Sequence, residues 1–152
     1  MFRQYGRGLI SISFEENAIS QRLSIEGRDV KTFAMLSPFP VEVKRKIVAP
    51  AKFYDIDDDG ISEIIYCEEN GKINVLSTTG VPKYGWGSVI TKAKLQSGVN
   101  IFKVNDKVYI SAIDYDGNVY VYDYKGSLLP QFSNVRIEGH VSASHTVGNI
   151  DD

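Results

Sequence analysis

Short runs of alternating apolar and polar residues recur in the second half of this 152-residue chain. Between residues 72 and 77, Ile73 and Val75 alternate with polar positions, and the compact apolar run 64–67 lies just before them. Alternation with a period of two is the pattern of a β-strand that has one buried face. We therefore predict strands over 64–67 and 72–77, joined by a tight turn over 68–71.

The same pattern returns at other places in the chain. The segment IYCEENGKINVLSTTG, residues 65–80, aligns with SAIDYDGNVYVYDYKG after a shift of 46 residues, and with ISFEENAISQRLSIEG after a backward shift of 53. In each copy an aromatic residue follows the last glycine by six positions, namely Phe33, Trp86 and Phe132. The third copy predicts strands over 108–113 and 118–123, and a further strand is expected after each aromatic, over 88–95 and 135–141.

Four short strands per unit, at a period in the forties, are typical of a β-propeller blade. We predict an all-β fold of about three four-stranded antiparallel repeats, over 1–54, 55–103 and 104–148, with the start of another repeat at 149–152, in a single domain or fragment. The aromatic residue is expected to pack each blade against its neighbour. Because propellers close with four to eight blades, we expect a piece of a longer chain, a ring completed by partner subunits, or an open stack of sheets.

An acidic loop precedes the strand at 64–67. It carries Asp55, Asp57 and Asp59 at alternate positions, followed by Gly60, and Glu63 comes four residues after Asp59. Calcium takes six to eight oxygen ligands, and a glycine allows the backbone to curl around such an ion. We predict a structural Ca²⁺ site formed by a set of five residues: Asp55, Asp57, Asp59, the carbonyl of Ile61, and Glu63.

This loop is not an EF-hand. The twelfth loop position, which carries a bidentate glutamate in that motif, is Tyr66, and a strand rather than a helix is expected to follow. The alternative interpretation is an acidic β-turn without metal, since aspartate and glycine are common turn residues.

Other chemically interesting residues give weaker patterns. His140 and His145 are five residues apart without an adjacent carboxylate and are interpreted as surface histidines. Asp114 and Asp116 precede Gly117 and fit a hairpin turn better than a second ion site. Cys67 aligns with apolar residues in the other copies and is predicted to be an inert core thiol. No nucleophile–base pair, phosphate-binding glycine loop or zinc-spaced Cys/His set is visible.

Charge and composition exclude some function classes. The 17 basic and 19 acidic residues nearly balance, which argues against a nucleic-acid binder, and no run reaches the roughly 18 apolar residues of a membrane span. No secretory signal is visible, which is compatible with a cytosolic protein, a processed chain or an excised fragment.

The basic run 44–46 is expected to be a solvated connection or a docking patch for an acidic partner. Tyr120, Tyr122 and Tyr124 share one strand face, which is either a packing face or a contact surface.

The strings DIDDDGISEII, ENGKINVL and TTGVPKYGWG together resemble the FG-GAP/VCBS class of β-propeller repeats found in integrin α-subunit heads and many bacterial surface proteins. The resemblance implies calcium in the blade loop, with Asp55, Asp57, Asp59, Ile61 and Glu63 as its ligands. It also implies a non-catalytic module that binds protein or glycan, serves adhesion or surface assembly, and is extracellular, periplasmic or on the cell surface. The alternative is the propeller portion of a polysaccharide lyase or hydrolase.

Overall fold

The computed structural model of the chain describes residues 8–16, 21–29 and 41–148, with side chains described from residue 41 onward. Within these residues the fold is all-β, as predicted, with nine strands and two short 3-10 helices at Tyr84–Ser88 and Pro130–Phe132. The chain divides into two compact units, Met1–Lys46 and Ile47–Asp152. Phe33 of the first copy and the partial loop at 149–152 lie outside the described residues.

The first unit contains one antiparallel sheet. Its strands are β1 (Gly8–Glu16), β2 (Gln21–Asp29) and β3 (Val41–Val43), in the order β1-β2-β3. The register of the long hairpin pairs Ile12 with Ile25 and Phe14 with Leu23. The faint first copy of the repeat therefore lies on a hairpin, as its alignment predicts.

The second unit contains two antiparallel sheets of three strands each. One has the order β4 (Lys52–Tyr54), β5 (Glu63–Cys67) and β6 (Ile73–Leu76), and the other has β7 (Asn100–Val104), β8 (Lys107–Ile113) and β9 (Val119–Asp123). All four strands that sequence periodicity predicted most clearly in this unit are present, within two residues of their predicted ends. The acidic loop at 55–62 joins β4 to β5.

The predicted fourth strands at 88–95 and 135–141 are wrong as strands, so the described sheets are three-stranded rather than four-stranded. Each segment touches its sheet at isolated bridges only, Lys72 with Ile90 and Asn118 with Arg136. Upstream of each bridge, a proline (Pro82 or Pro130) and a 3-10 helix interrupt the extended backbone. The chain therefore enters each segment from a 3-10 helix and pairs with its sheet at a single bridge, which the four-strand repeat pattern could not reveal.

A repeat of 46 residues is visible in the backbone hydrogen bonds of the second unit. The amide of Ile73 donates to the carbonyl of Val89, and the amide of Val119 donates to that of Val135, 46 residues further on. The turns agree as well: the Gly71 and Gly117 amides donate to the carbonyls of residues 68 and 114, and both glycines have positive φ. The alignment of 65–80 with 111–126 is therefore a structural equivalence.

The two sheets of the second unit share one hydrophobic core. Ile65 and Val75 of one sheet and Ile110 of the other belong to the same buried cluster. Trp86 joins them: its side chain is completely buried, its ring meets Tyr122 edge-on at 5.6 Å, and its Nε1 donates to the Tyr124 carbonyl at 2.9 Å. The predicted packing of this aromatic residue on the neighbouring repeat is confirmed for Trp86.

Side-chain burial decides between the two interpretations of the tyrosine row and agrees with the prediction for Cys67. Tyr120 and Tyr122 are each 5% exposed and stack on one another with centroids 6.1 Å apart, so this part of the tyrosine row is a packing face. Cys67 is buried, and burial raises the pKa of its thiol to about 12, as expected for an unreactive core cysteine. Residues 44–46 are exposed, which both interpretations of this basic run require.

Candidate functional site

The acidic loop between β4 and β5 is held in shape by its own carboxylates. Asp55 accepts hydrogen bonds from the amides of Asp59 and Gly60, at 3.1 and 2.7 Å. Gly60 has φ +83°, the left-handed conformation expected for it, and Asp58 also has a positive φ of 57°. The loop therefore curls back on its first residue.

Three carboxylates converge inside this curl. One oxygen each from Asp55, Asp57 and Glu63 lies within 4.8 Å of the other two, which is the spacing of ligands around a single cation. Glu63 is 1% exposed, and its Oε2 accepts from the Ile56 amide at 3.0 Å. A buried glutamate at the first position of β5 thus fixes one side of the cluster.

A lysine from outside the loop reaches the same carboxylates. Lys83 Nζ lies 3.0 Å from Glu63 Oε1, 3.1 Å from Asp57 Oδ2 and 3.2 Å from Asp59 Oδ2. Burial works against the charged form of Lys83, but hydrogen bonds to these carboxylates outweigh burial and raise the pKa of the ammonium. Lys83 therefore stays protonated and neutralises part of the cluster.

Asp57 carries an unpaired oxygen. Its Oδ2 accepts from the Tyr84 hydroxyl at 2.6 Å as well as from Lys83, whereas its Oδ1 is buried and has no hydrogen-bond partner among the described residues. Burial alone would raise the pKa of Asp57, yet the hydrogen bonds from Tyr84 and Lys83 lower it, so the side chain is an anion. A buried carboxylate oxygen without a partner is costly.

Three of these carboxylates, from Asp55, Asp57 and Glu63, could hold a divalent cation, and the Lys83 ammonium lies against two of the three. Four carboxylates, Asp55, Asp57, Asp59 and Glu63, face one ammonium, which leaves a net charge of about −3 in the cluster. Carboxylate oxygens are the ligands that calcium prefers. Asp57 Oδ1 is buried without a hydrogen-bond donor among the described residues, and a bound cation would compensate for that.

The structure brings together only part of the predicted ligand set. Asp55, Asp57 and Glu63 converge, while the Asp59 carboxylate lies outside this triad and contacts Lys83 at 3.2 Å. The Ile61 amide donates to Asp59 Oδ1 at 2.8 Å, and the role of the Ile61 carbonyl stays a prediction. In the next repeat the equivalent hairpin turns at Asn105 and Asp106, both with positive φ, as in a two-residue type I′ turn. This agrees with the absence of alternating aspartates there.

Lys83 and Tyr84 were missed by reasoning from the sequence. They lie more than 20 residues beyond the loop, so no local spacing connects them to it. The repeat held a usable signal, because Lys83 stands where the third copy has Leu129. A charged residue at a position that is otherwise apolar indicates a local partner of opposite charge.

A cavity of about 570 Å³ lies beside the loop, between the two sheets of the second unit. Tyr84 and Tyr124 meet edge-on at its wall, with ring centroids 5.6 Å apart. Its polar lining combines aromatic, acidic and basic side chains: Tyr84, Tyr109, Tyr124, Asp57, Asp58, Asp106, Asp123 and Lys107. Concave sites are the usual place for ligands, and this one is distinguished by a mainly polar, acidic lining beside its aromatic residues.

The two histidines differ in solvent exposure and in their contacts. His140 is exposed, as predicted, stacks on Tyr115 and has its Nδ1 3.7 Å from Asp116 Oδ1. His145 is half-buried rather than on the surface, and its Nε2 shares a 2.9 Å hydrogen bond with the Ser111 hydroxyl. Burial lowers the pKa of His145. Ser111 is itself 3% exposed and does not line the cavity beside the acidic loop, so this pair has the environment of a packing contact.

Asp114 is a turn residue, as predicted, and it also joins the two repeats. It is fully buried and accepts from the Asn118 amide, the Tyr120 hydroxyl and the Ala93 amide, at 2.7 to 3.0 Å. Ala93 belongs to the segment that leaves the preceding sheet. Both carboxylate oxygens of Asp114 therefore accept hydrogen bonds from neighbouring groups that hold this turn.

No helix among the described residues is long and apolar enough to cross a membrane. No protein-family model matches the chain, and no similar sequence was found among curated proteins.

Proposed function

We propose that this chain is a calcium-stabilised module of β-propeller type, similar to FG-GAP/VCBS repeats, that binds a protein or carbohydrate ligand without transforming it. The observation that carries the proposal is the buried, unpaired Oδ1 of Asp57, a residue whose carboxylate clusters with those of Asp55 and Glu63. Support for the repeat architecture comes from the hydrogen-bond pattern that recurs after 46 residues. Further blades, in the same protein or in partner subunits, would complete the ring.

In this proposal Asp55, Asp57 and Glu63 hold the ion, with Asp59 and the Ile61 carbonyl as further ligands. A bound calcium ion cross-links the loop between β4 and β5 and neutralises carboxylates that otherwise repel one another. Because Asp57 also accepts from Tyr84, the loop and the aromatic wall of the cavity are fixed together. The ion's role is structural, and it supports the shape of the neighbouring cavity.

The ligand site that we propose is this cavity, with its tyrosines and acidic groups. Tyrosine rings offer flat apolar surfaces, while carboxylates accept hydrogen bonds from hydroxyl or amine groups of a ligand. An adhesive module of this kind acts outside the cytoplasm, at the cell surface or in the periplasm.

Isothermal titration with CaCl₂ tests the metal site in the wild-type protein and in Asp57→Asn. We expect saturable binding with a stoichiometry of one in the wild type, weakened at least about tenfold in Asp57→Asn because one charged ligand is lost. Asp106→Asn, an acidic substitution in the next hairpin, is the control and should bind as the wild type does. Equal binding by all three proteins would refute the assignment of the loop.

Binding and catalysis are separated by incubating the protein with an array of neutral and acidic glycans, in calcium and in EDTA. Retention that requires calcium and falls in Tyr84→Ala supports the binding module. Tyr84 is 53% exposed, so its removal should leave the fold intact. Depolymerisation of an acidic polysaccharide would instead favour the lyase or hydrolase.

A further inference from the structure

We propose that Lys83 is a built-in competitor for the cation: its ammonium group occupies the carboxylate cluster when metal is absent and must leave when a divalent ion binds. The lysine would thereby set the calcium concentration at which the loop fills. This inference rests on the proposed metal site and concerns how that site is regulated.

The first argument is shared ligands. Lys83 Nζ contacts Glu63 Oε1 and Asp57 Oδ2 at 3.0 and 3.1 Å, and both residues belong to the triad that could hold an ion. Calcium takes its oxygens at about 2.3–2.6 Å, so an ion on these carboxylates would be next to the ammonium. A +2 and a +1 charge in contact repel strongly where solvent is partly excluded. The two cations therefore exclude each other.

The second argument comes from the repeat. The backbone needs nothing from the lysine side chain at this position: the amide of residue 83 donates to the Val75 carbonyl, and the amide of Leu129 donates to Val121 in the same way. Leucine occupies the equivalent position in the repeat whose hairpin lacks the acidic loop. The lysine is therefore found in the repeat that has the acidic loop, and the backbone fold shared by the two repeats does not require it.

The consequence is a loop that is stable in two charge states. Without metal, Lys83 bridges Asp57, Asp59 and Glu63 and limits their mutual repulsion. With metal, the ion takes over that role. The lysine stabilises the metal-free state, so it lowers the apparent affinity for calcium.

The test compares the wild type with Lys83→Met, which keeps an apolar stem of similar length and removes the charge. Calcium affinity is measured by isothermal titration, and thermal midpoints by circular dichroism in EDTA and in CaCl₂. Lys103→Met is the matched control, because Lys103 pairs with Asp58 at 3.0 Å outside the triad. Lys83→Gln is a second variant in case the methionine variant folds poorly.

We expect Lys83→Met to bind calcium at least about tenfold more tightly than the wild type. We also expect its midpoint to be lower than that of the wild type in EDTA but to rise more on calcium addition, while Lys103→Met behaves as the wild type. Equal calcium affinity in the wild type and both Lys83 variants would overturn the competition while leaving the metal site standing. Absence of binding in all variants would overturn both proposals.

Discussion

Trp86 gives the sharpest prediction about how the two sheets of the second unit hold together. Its side chain is completely buried, and it contributes both a ring contact with Tyr122 and a hydrogen bond to the Tyr124 carbonyl. A buried tryptophan removes about 150–250 Å² from water, which corresponds to about 4–6 kcal/mol at about 25 cal/mol per Å². After allowance for the alanine methyl that remains, Trp86→Ala should lower the free energy of unfolding by about 3–5 kcal/mol.

Two further variants divide this loss into its parts. Trp86→Phe keeps an aromatic ring but leaves the Tyr124 carbonyl without its donor, so it should cost about 1–3 kcal/mol. Phe132→Ala changes the equivalent aromatic in the next repeat, which is only half-buried, and should cost about 1–2 kcal/mol. Trp86→Ala should cost the most, because it removes the most buried surface together with the hydrogen bond.

Urea denaturation followed by far-UV circular dichroism measures these differences. Circular dichroism is needed because Trp86 is the single tryptophan of the chain, so the fluorescence probe disappears with the mutation. With a slope of about 2 kcal/mol per M, Trp86→Ala should shift the midpoint by about 2 M. A shift below about 0.5 M, or a Phe132→Ala shift as large as that of Trp86→Ala, would refute the packing argument.

Three other predictions concern the turns and the core. Burial alone would raise the pKa of the Asp114 carboxyl group, but hydrogen bonds from Asn118 and the other donors lower this pKa. The contribution of Asp114 to stability is therefore present above about pH 4 and is lost as the pH falls through the lowered pKa of the folded state. Acid titration of unfolding should show this loss in the wild type and a flatter profile in Asp114→Asn. Gly117→Ala should destabilise the protein by at least about 1 kcal/mol more than Gly60→Ala. Both glycines have positive φ, but a Cβ at Gly117 would clash with the Ile137 carbonyl, whereas a Cβ at Gly60 would meet open space; equal thermal shifts would contradict this. Cys67 should resist iodoacetamide at pH 8 until the protein unfolds, because its pKa is raised to about 12 and the thiol is buried; rapid labelling of the native protein, read by mass spectrometry, would be the contrary result.

Much of the fold could be predicted because each repeat has a recognisable local pattern of strand and turn residues. Alternating residues such as Ile73 and Val75 define strand faces, and Gly71 and Gly117 mark turns that need positive φ. The segments at 88–95 and 135–141 were predicted as strands from the four-strand repeat unit, which does not reveal that each follows a 3-10 helix and pairs with its sheet at one bridge.

The candidate site was harder to predict than the fold. The acidic loop is contiguous, so spacing alone indicated Asp55, Asp57 and Glu63. Lys83 and Tyr84 reach the loop only through the folding of β5, β6 and the turn after them. Likewise, the contact between Ser111 and His145 depends on how the chain after the last sheet returns to β8, and no sequence period indicates that path.

Thermal unfolding with calcium and with a chelator tests most directly whether the acidic loop between β4 and β5 binds an ion. In CaCl₂ at 100 times the dissociation constant, linkage predicts about 2.7 kcal/mol of added stability. For a chain of this size that corresponds to a midpoint about 5–10 °C higher than in EDTA. The doubly substituted Asp57→Asn/Asp59→Asn protein should show no such difference. A wild-type midpoint that is the same in both buffers, or that shifts equally in the double variant, would mean that the loop is an acidic turn held by its own hydrogen bonds and by Lys83, without an ion.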